Sequence, residues 1–224
     1  MKKRNKNLDY YSTEKIFNPP FHVEKEIDLI LSLIQKNKRS KIMDFGCGAG
    51  RLTISLLKND FKVIAVDIDD QALKELKNNV RKINKLKHLK LEKKIIGKNF
   101  DYIVGTDILH HININKFSKI FFKSLKSNGK IIFSEPNILN ISWIFFISLF
   151  LDWSQEKGIF VCNYFNLINI FKKAGFKKIK IIGYGFFPPQ IFGKIKFFHK
   201  INNFLANIPI LKIFSYRLII YGEK

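Results

Sequence analysis

Residues Lys41 to Thr53 read KIMDFGCGAGRLT, and Val63 to Asp67 read VIAVD. In the first stretch a short apolar run, Ile42 to Phe45, ends in Gly46, Gly48 and Gly50 and passes directly into Leu52, Ile54, Leu56 and Leu57 at helical spacing. That order predicts a strand, a tight turn and a helix N-terminus. Glycine lets the chain turn sharply and leaves the backbone open to a ligand that side chains would hold off. The second stretch is an apolar strand ending on Asp67, where a carboxylate accepts hydrogen bonds from both hydroxyls of a ribose. Together they predict a nucleoside site on an α/β fold.

Spacing narrows the choice of nucleoside. A dinucleotide fingerprint places its glycines as G-x-G-x-x-G and seats a pyrophosphate on the helix N-terminus. Here the third glycine arrives one residue early. Asp44, two residues before Gly46, would oppose a pyrophosphate but suits an ammonium group, met directly or through water. An amino-acid tail fits that position. Asp44-Phe45-Gly46-Cys47-Gly48-Ala49-Gly50 resembles the glycine-rich first motif of class I S-adenosylmethionine-dependent methyltransferases, and Asp67 resembles their ribose-binding acid. FDYIVGTDILHHI from Phe100 and SLKSNGKIIFSEPN from Ser124 extend the likeness, so that it runs from Lys41 to Asn137. The resemblance implies S-adenosylmethionine as cofactor, held by Asp44, Gly46, Cys47, Gly48, Gly50, Asp67, Ile68 and Thr106. It also implies a Rossmann-like seven-stranded sheet, mostly parallel, with the last strand inserted antiparallel between the fifth and sixth and helices on both faces.

The length of 224 residues suits one domain with an added flap. Its expected parts are an N-terminal lid and helix over 1–37, the cofactor-binding core over 41–137, and apolar cap insertions over 138–162 and 186–210. Two cysteines make no disulfide framework, and Cys47 inside the glycine loop points to a reducing cytoplasm. No apolar segment follows the basic Met1 to Asn7, so no secretory signal is expected. The longest apolar run, Ile141 to Leu151, falls well short of the roughly twenty residues that span a bilayer. The charge of +22 would ordinarily suggest nucleic acid or an anionic membrane. However, only five of the 40 basic residues are arginine, and isoleucine, asparagine and phenylalanine are abundant, as A/T-rich codons dictate. Phosphate and base recognition favours the arginine fork, which makes nucleic acid a minor candidate partner.

Taken in order, Tyr10 and Tyr11 either close over the cofactor or pack. Asn18-Pro19-Pro20-Phe21 matches the tetrapeptide with which amino methyltransferases grip a target nitrogen, but no buried strand precedes it, and Pro-Pro reads more simply as a stop before a helix. Helical spacing predicts helices over 22–37, 69–84, 116–126 and 163–174, the third ended by a left-handed Gly129 and the last capped by Asn163 and stopped by Gly175. Strands are expected at 62–66, 88–96, 100–105, 130–134, 177–182 and 214–221. The βαβαβ order predicts right-handed crossovers and a parallel sheet.

Chemistry is expected beyond the carboxyl end of the fourth strand. Transfer of a methyl group to a hydroxyl needs alignment and a base that takes the proton, and histidine is the usual base near neutral pH. His110 and His111 stand at that place, with Glu135 at the end of the fifth strand able to line the acceptor pocket, orient a histidine or satisfy loop amides. His22, His88 and His199 have no such location. Asp107 invites comparison with metal-assisted methyltransferases, but a hard cation takes more oxygen ligands than Asp107 and Glu135 supply, so no metal is expected. Lys93 to Asn99, KKIIGKN, lacks an acid for the adenine amine, which leaves adenine to backbone atoms and Ile68.

Trp143 to Phe150 is apolar all round, and Phe186 to Leu205 mixes phenylalanines with Lys194, Lys196 and Lys200. Two readings stand open, a roof over a small-molecule pocket and a basic amphipathic face resting on anionic lipid. Either suits a bulky apolar acceptor. The expectation is therefore a cytoplasmic or peripherally membrane-bound methyltransferase acting on a quinol, phenol or lipid-linked hydroxyl. An RNA methyltransferase and a non-catalytic S-adenosylmethionine-binding subunit are the alternatives.

Overall fold

The computed structural model describes residues 13–35, 37, 39–192 and 195–224. Tyr10, Tyr11 and Lys194 lie outside the described residues. Two helices, α1 (Thr13–Phe17) and α2 (Phe21–Ser32), precede β1 (Lys41–Phe45), α3 (Arg51–Lys58), β2 (Lys62–Val66), α4 (Asp70–Lys82), β3 (Leu89–Glu92), β4 (Phe100–Thr106), α5 (Ile114–Ser124) and β5 (Leu125–Pro136). Then follow α6 (Ser142–Phe150), α7 (Trp153–Glu156), α8 (Tyr164–Lys173), β6 (Lys177–Tyr184), α9 (Pro189–Phe192), α10 (Lys196–Leu205) and β7 (Arg217–Glu223).

The seven strands form one sheet in the order β3-β2-β1-β4-β5-β7-β6. β1 to β5 run parallel, whereas β7 is antiparallel to both β5 and β6, as the resemblance implied. Strand order reverses between β1 and β4, and a crevice opens at their carboxyl ends. The period-two alternation of buried strands sorts side chains into two cores. Ile42, Val104, Ile132 and Ile219 pack with α2, α3 and α4, while Met43, Ile103, Phe133 and Ile220 pack with α5 and α8. Side-chain caps start four of the described helices: Asp69 accepts from Gln71 N, Asn113 from Lys116 N, Asp152 from Ser154 N, and Asn163 from Asn166 N.

Several boundaries differ from expectation. α5 ends two residues early because Leu125 is already extended and pairs opposite Phe100. The left-handed residue there is Asn128, with φ of 61°, and not Gly129. Gly129 is required for another reason, since a Cβ would stand 2.9 Å from the Phe100 carbonyl oxygen. α2 ends at Ser32 rather than at 37, and β3 stops at Glu92, before the turn carrying Gly97 and Asn99 at positive φ. Pro20 occupies the N-cap of α2, and Asn18 and Pro19 share a groove with Lys58 and Asn59 at the far end of α3 from the glycine loop. The Asn-Pro-Pro-Phe tetrapeptide is therefore a helix start.

The two apolar insertions meet over the carboxyl end of β5. Trp143 stacks on Tyr216 with centroids 4.6 Å apart and donates from Nε1 to the Tyr216 carbonyl at 2.6 Å. Asn140 donates to the carbonyls of Phe186 and Phe214, tying the first insertion to the second. Ile138, Ile147 and Ile159 complete a small third core under this cap.

Candidate active site

The β1–α3 turn divides its glycines by purpose. A Cβ on Gly46 would stand 2.3 Å from the Ile108 side chain, and one on Gly50, the left-handed N-cap of α3, 2.4 Å from Leu76 Cδ1. Those two serve the protein's own packing. A Cβ on Gly48 would meet nothing within 4 Å, so Gly48 is where bare backbone faces open space. Its N–H donates to Asp67 Oδ2 at 2.8 Å, and Asp67 Oδ1 accepts from Asp69 N at 3.0 Å. Each carboxylate oxygen keeps lone-pair capacity for a further donor. Asp44, 1% exposed, accepts from the Thr53 hydroxyl at 2.5 Å. Burial pushes its carboxyl up to about 7, against the pull of Thr53 and Arg51. A cationic group beside it would restore its ionisation.

Asp44, Gly46, Cys47, Gly48, Asp67 and Thr106 meet on the wall of one cavity of about 190 Å³. Gly50 stands behind that wall, and Ile68 is 88% exposed and outside it. The wall suits an amino-acid-tailed nucleoside: one buried acid at the strand end, one acid with free lone pairs beyond the next strand, and an open backbone between them. Burial pushes the Cys47 thiol far up, so it lines the cavity as a neutral group.

An ion network that the sequence reading missed closes the floor. Arg51, at the start of α3, donates to Thr106 Oγ1 at 2.8 Å and pairs with Asp107 Oδ2 at 2.5 Å. Arg217, from β7, pairs with Asp107 Oδ1 at 2.7 Å and with Glu26 of α2 at 2.9 Å. Burial alone would raise the Asp107 carboxyl, but the Arg217 and Arg51 guanidiniums hold it well below the usual range. Both its oxygens are engaged by guanidiniums, which leaves it poorly suited to bind a cation. Asp107 also has φ of 55°, an uncommon conformation over-determined here by the two arginines. The available signal was arginine's rarity in a lysine-rich chain: two of five arginines sit at this floor, where a planar fork matters.

The two histidines differ in environment. His110 is buried, its Nδ1 2.6 Å from Glu135 Oε2 and its Nε2 3.5 Å from Glu156 Oε2. Glu135 Oε1 also accepts from Ile108 N at 2.9 Å and Leu109 N at 2.8 Å, so one buried carboxylate both pins the turn after β4 and orients the ring. It lines neither the glycine-loop cavity nor the cavity under the cap. From above, Gly158 presses on the same turn: a Cβ there would fall 1.6 Å from the His110 carbonyl oxygen. Burial lowers the pKa of His110, but Glu135, Asp107 and Glu156 outweigh it and raise it. The ring of His111 lies 4.0 Å from that of His110, and its partial burial, followed by the neighbouring His110, lowers its pKa. The two rings are thus shifted in opposite directions. Ligand atoms of His110, His111 and Glu156 lie within 4.8 Å of one another, as do those of His110, Glu135 and Cys162. In the second set Glu135 already accepts three hydrogen bonds and burial holds the Cys162 thiol protonated.

A second cavity of about 190 Å³ lies under the cap. Arg51, Asp107 and His111 line both cavities and form their shared wall. The far side is Trp143, Phe146 and Leu151 from the first insertion, with Pro189 and Gln190 from the second. His22, set aside by the sequence reading, also lines it. Its carbonyl accepts from the Tyr184 hydroxyl, its Nε2 is buried with no hydrogen-bond partner among the described residues, and burial with the nearby Arg217 lowers its pKa to about 4. No periodicity distinguishes such a residue on an amphipathic helix.

The family model of the methyltransferase domain matches residues 22–181. The chain belongs to this family, the class I S-adenosylmethionine-dependent methyltransferases. A ubiquinone biosynthesis O-methyltransferase of Pelagibacter ubique is 30% identical over 118 residues, covering 49% of this chain and 48% of that protein. The chain spans about half the length of the curated relatives it matches. Phosphoethanolamine N-methyltransferase 2 of Haemonchus contortus, solved with phosphomonomethylethanolamine and S-adenosylhomocysteine, superposes with a TM-score of 0.67 at 17% identity, over 96% of this chain and 58% of that one. A methyltransferase of Archaeoglobus fulgidus superposes with a TM-score of 0.65 at 16% identity, over 96% and 100%. These structural likenesses show a shared fold.

Proposed function

We propose that the protein transfers a methyl group from S-adenosylmethionine to a hydroxyl of a small hydrophobic acceptor, such as a quinol, a phenol or a lipid-linked hydroxyl. The observation that carries this reading is His111, an imidazole of lowered pKa on the shared wall between the glycine-loop cavity and the cavity under the aromatic cap. When bound, S-adenosylmethionine supplies an electrophilic methyl group. Asp67 accepts the ribose hydroxyls, Asp44 faces the ammonium of the tail, and Gly46, Cys47, Gly48 and Thr106 form the wall between them, with Gly50 and Ile68 at its margin. His111 takes the acceptor's proton at a ring nitrogen. His110, its Nδ1 committed to Glu135, acts with that carboxylate to position the turn that carries His111. The cap excludes water and holds the acceptor in line, where alignment supplies most of the rate.

The partial likeness to ubiquinone biosynthesis O-methyltransferases supports a quinol among these acceptors. The buried thiols of Cys47 and Cys162 suit a reducing cytoplasm. No metal is needed, because the base is an imidazole. An RNA substrate is favoured only by the charge of +22, and retention of RNA at physiological salt would support it. A non-catalytic subunit would bind S-adenosylmethionine and transfer nothing alone. One experiment separates the three: incubate the protein with labelled S-adenosylmethionine and cell extract, then fractionate lipid, nucleic acid and small molecules. Label in the lipid or small-molecule pool is expected, label in RNA would replace this reading, and no label in any pool would leave the subunit.

A further inference from the structure

α10 is built inside out. Its sequence KFFHKINNFL is amphipathic, but the face turned to the protein is the polar one. His199 and Asn202 are buried, while Phe197 is 66% and Phe204 69% exposed, with Phe198 and Ile201 also exposed. Hydrogen bonds fix that orientation. Asn202 Oδ1 accepts from Phe186 N at 2.9 Å and Phe187 N at 2.8 Å, its Nδ2 donates to the Phe187 carbonyl at 3.0 Å, and Asn203 Oδ1 accepts from Gly185 N at 2.8 Å. Rotating the helix to hide its phenylalanines would break these bonds. α6 repeats the pattern in apolar form: Trp143 and Ile147 are buried, and Phe145 and Leu149 on its outer side are exposed. A surface this apolar marks an interaction site.

We propose that this face docks on a bilayer containing anionic phospholipid. Charge selects that occupant. Lys196 and Lys200 stand exposed on α10 between the phenylalanines, and the sequence has no acidic residue between Glu156 and Glu223 to oppose them. Aromatic side chains entering the acyl boundary with lysines at the headgroups is the arrangement of an interfacial amphipathic helix. A second copy of the chain would bring lysine against lysine, which opposes a dimer through the same face. Among the described residues no helix is long and apolar enough to cross a membrane, so contact through this face is peripheral. The inner sides of α6 and α9 wall the cavity under the cap, so docking sets that cavity beside the bilayer, where an apolar acceptor partitions. This last consequence rests on the methyl-transfer reading; the docking does not.

The test is co-sedimentation of the full chain with vesicles of phosphatidylcholine, alone or mixed with phosphatidylglycerol, at physiological salt. Binding to the mixed vesicles is expected, weaker by about tenfold on phosphatidylcholine alone and weaker by about tenfold for Lys196→Glu with Lys200→Glu. Combined Phe197→Ser, Phe198→Ser and Phe204→Ser should weaken it by about a hundredfold while leaving the melting temperature and its rise with S-adenosylmethionine unchanged. No sedimentation with mixed vesicles, equal binding to both vesicle types, or full binding by the folded serine variant would overturn the proposal. So would a dimer in solution that the serine variant splits, with no vesicle binding. Failure of methyl transfer leaves all of these readouts intact.

Discussion

Glu135 Oε2 lies 2.6 Å from His110 Nδ1, while its other oxygen takes the backbone N–H groups of Ile108 and Leu109. One fully buried carboxylate thus pins the turn after β4 and leads the groups that raise the pKa of the first histidine against its burial. A histidine whose pKa is raised on folding stabilises the protein fully below the ordinary value of 6.5, and that contribution is lost as pH rises through the folded value. Wild-type stability should therefore fall as pH rises above 6.5. Glu135→Gln should cost about 3 kcal/mol near pH 6 and flatten the dependence above it, as read by denaturant melts.

His111→Ala should lower kcat by about a hundredfold or more while leaving the melting shift with S-adenosylmethionine in place. A base acts when deprotonated, so the acid limb of kcat/KM should lie below pH 6.5 for a histidine whose pKa is lowered. If His110, His111 and Glu156 held a metal instead, a chelator would abolish turnover; none of the activity should be lost to it.

S-adenosylmethionine should raise the melting temperature and NAD should not, and Asp67→Ala should abolish the rise. Because Asp67 also accepts from Gly48 N at 2.8 Å, the alanine variant loosens the loop. Asp67→Asn keeps an acceptor for that bond, so its unliganded melting temperature should stay near wild type while affinity falls about tenfold. A full melting shift in either variant would remove Asp67 from the cofactor site.

Asp44 should trade stability for binding. Its carboxyl is raised from 3.8 to about 7, so the folded state binds its proton more tightly than the unfolded state and stability declines as pH rises across that interval. At pH 8 the unliganded protein carries the whole penalty. Asp44→Asn should stabilise it there by on the order of 2 kcal/mol and lose most affinity for S-adenosylmethionine. A melting scan at pH 5 and pH 8 checks the sign, since the gain should shrink at the lower pH.

His22 presents a neutral ring to the cap cavity, with Nε2 unpartnered among the described residues. His22→Ala should raise the KM for the acceptor about tenfold and leave the S-adenosylmethionine melting shift unchanged, as expected for one lost hydrogen bond to a substrate. An unaltered KM would make its position in the cavity wall incidental.

The contrast between His22 and His111 shows where local reading stops. KIMDFGCGAGRLT and VIAVD carry their meaning within a few residues, because turn geometry, strand alternation and helix spacing are short-range properties of the backbone. They point to a nucleoside cofactor, and the apolar runs after them mark the later strands along the chain and put the histidine pair just beyond the fourth. Tertiary structure alone decided that the pKa of His110 is raised and that of His111 lowered, because Glu135 and Glu156 reach His110 from 25 and 46 positions away. It also decided the Arg51–Asp107–Arg217–Glu26 floor, in which Glu26 and Arg217 meet across 191 positions, and the inward turn of α10's asparagines. Each of these is set by which low-dielectric surface a side chain finally meets, a property of the packed chain and not of its neighbours in sequence.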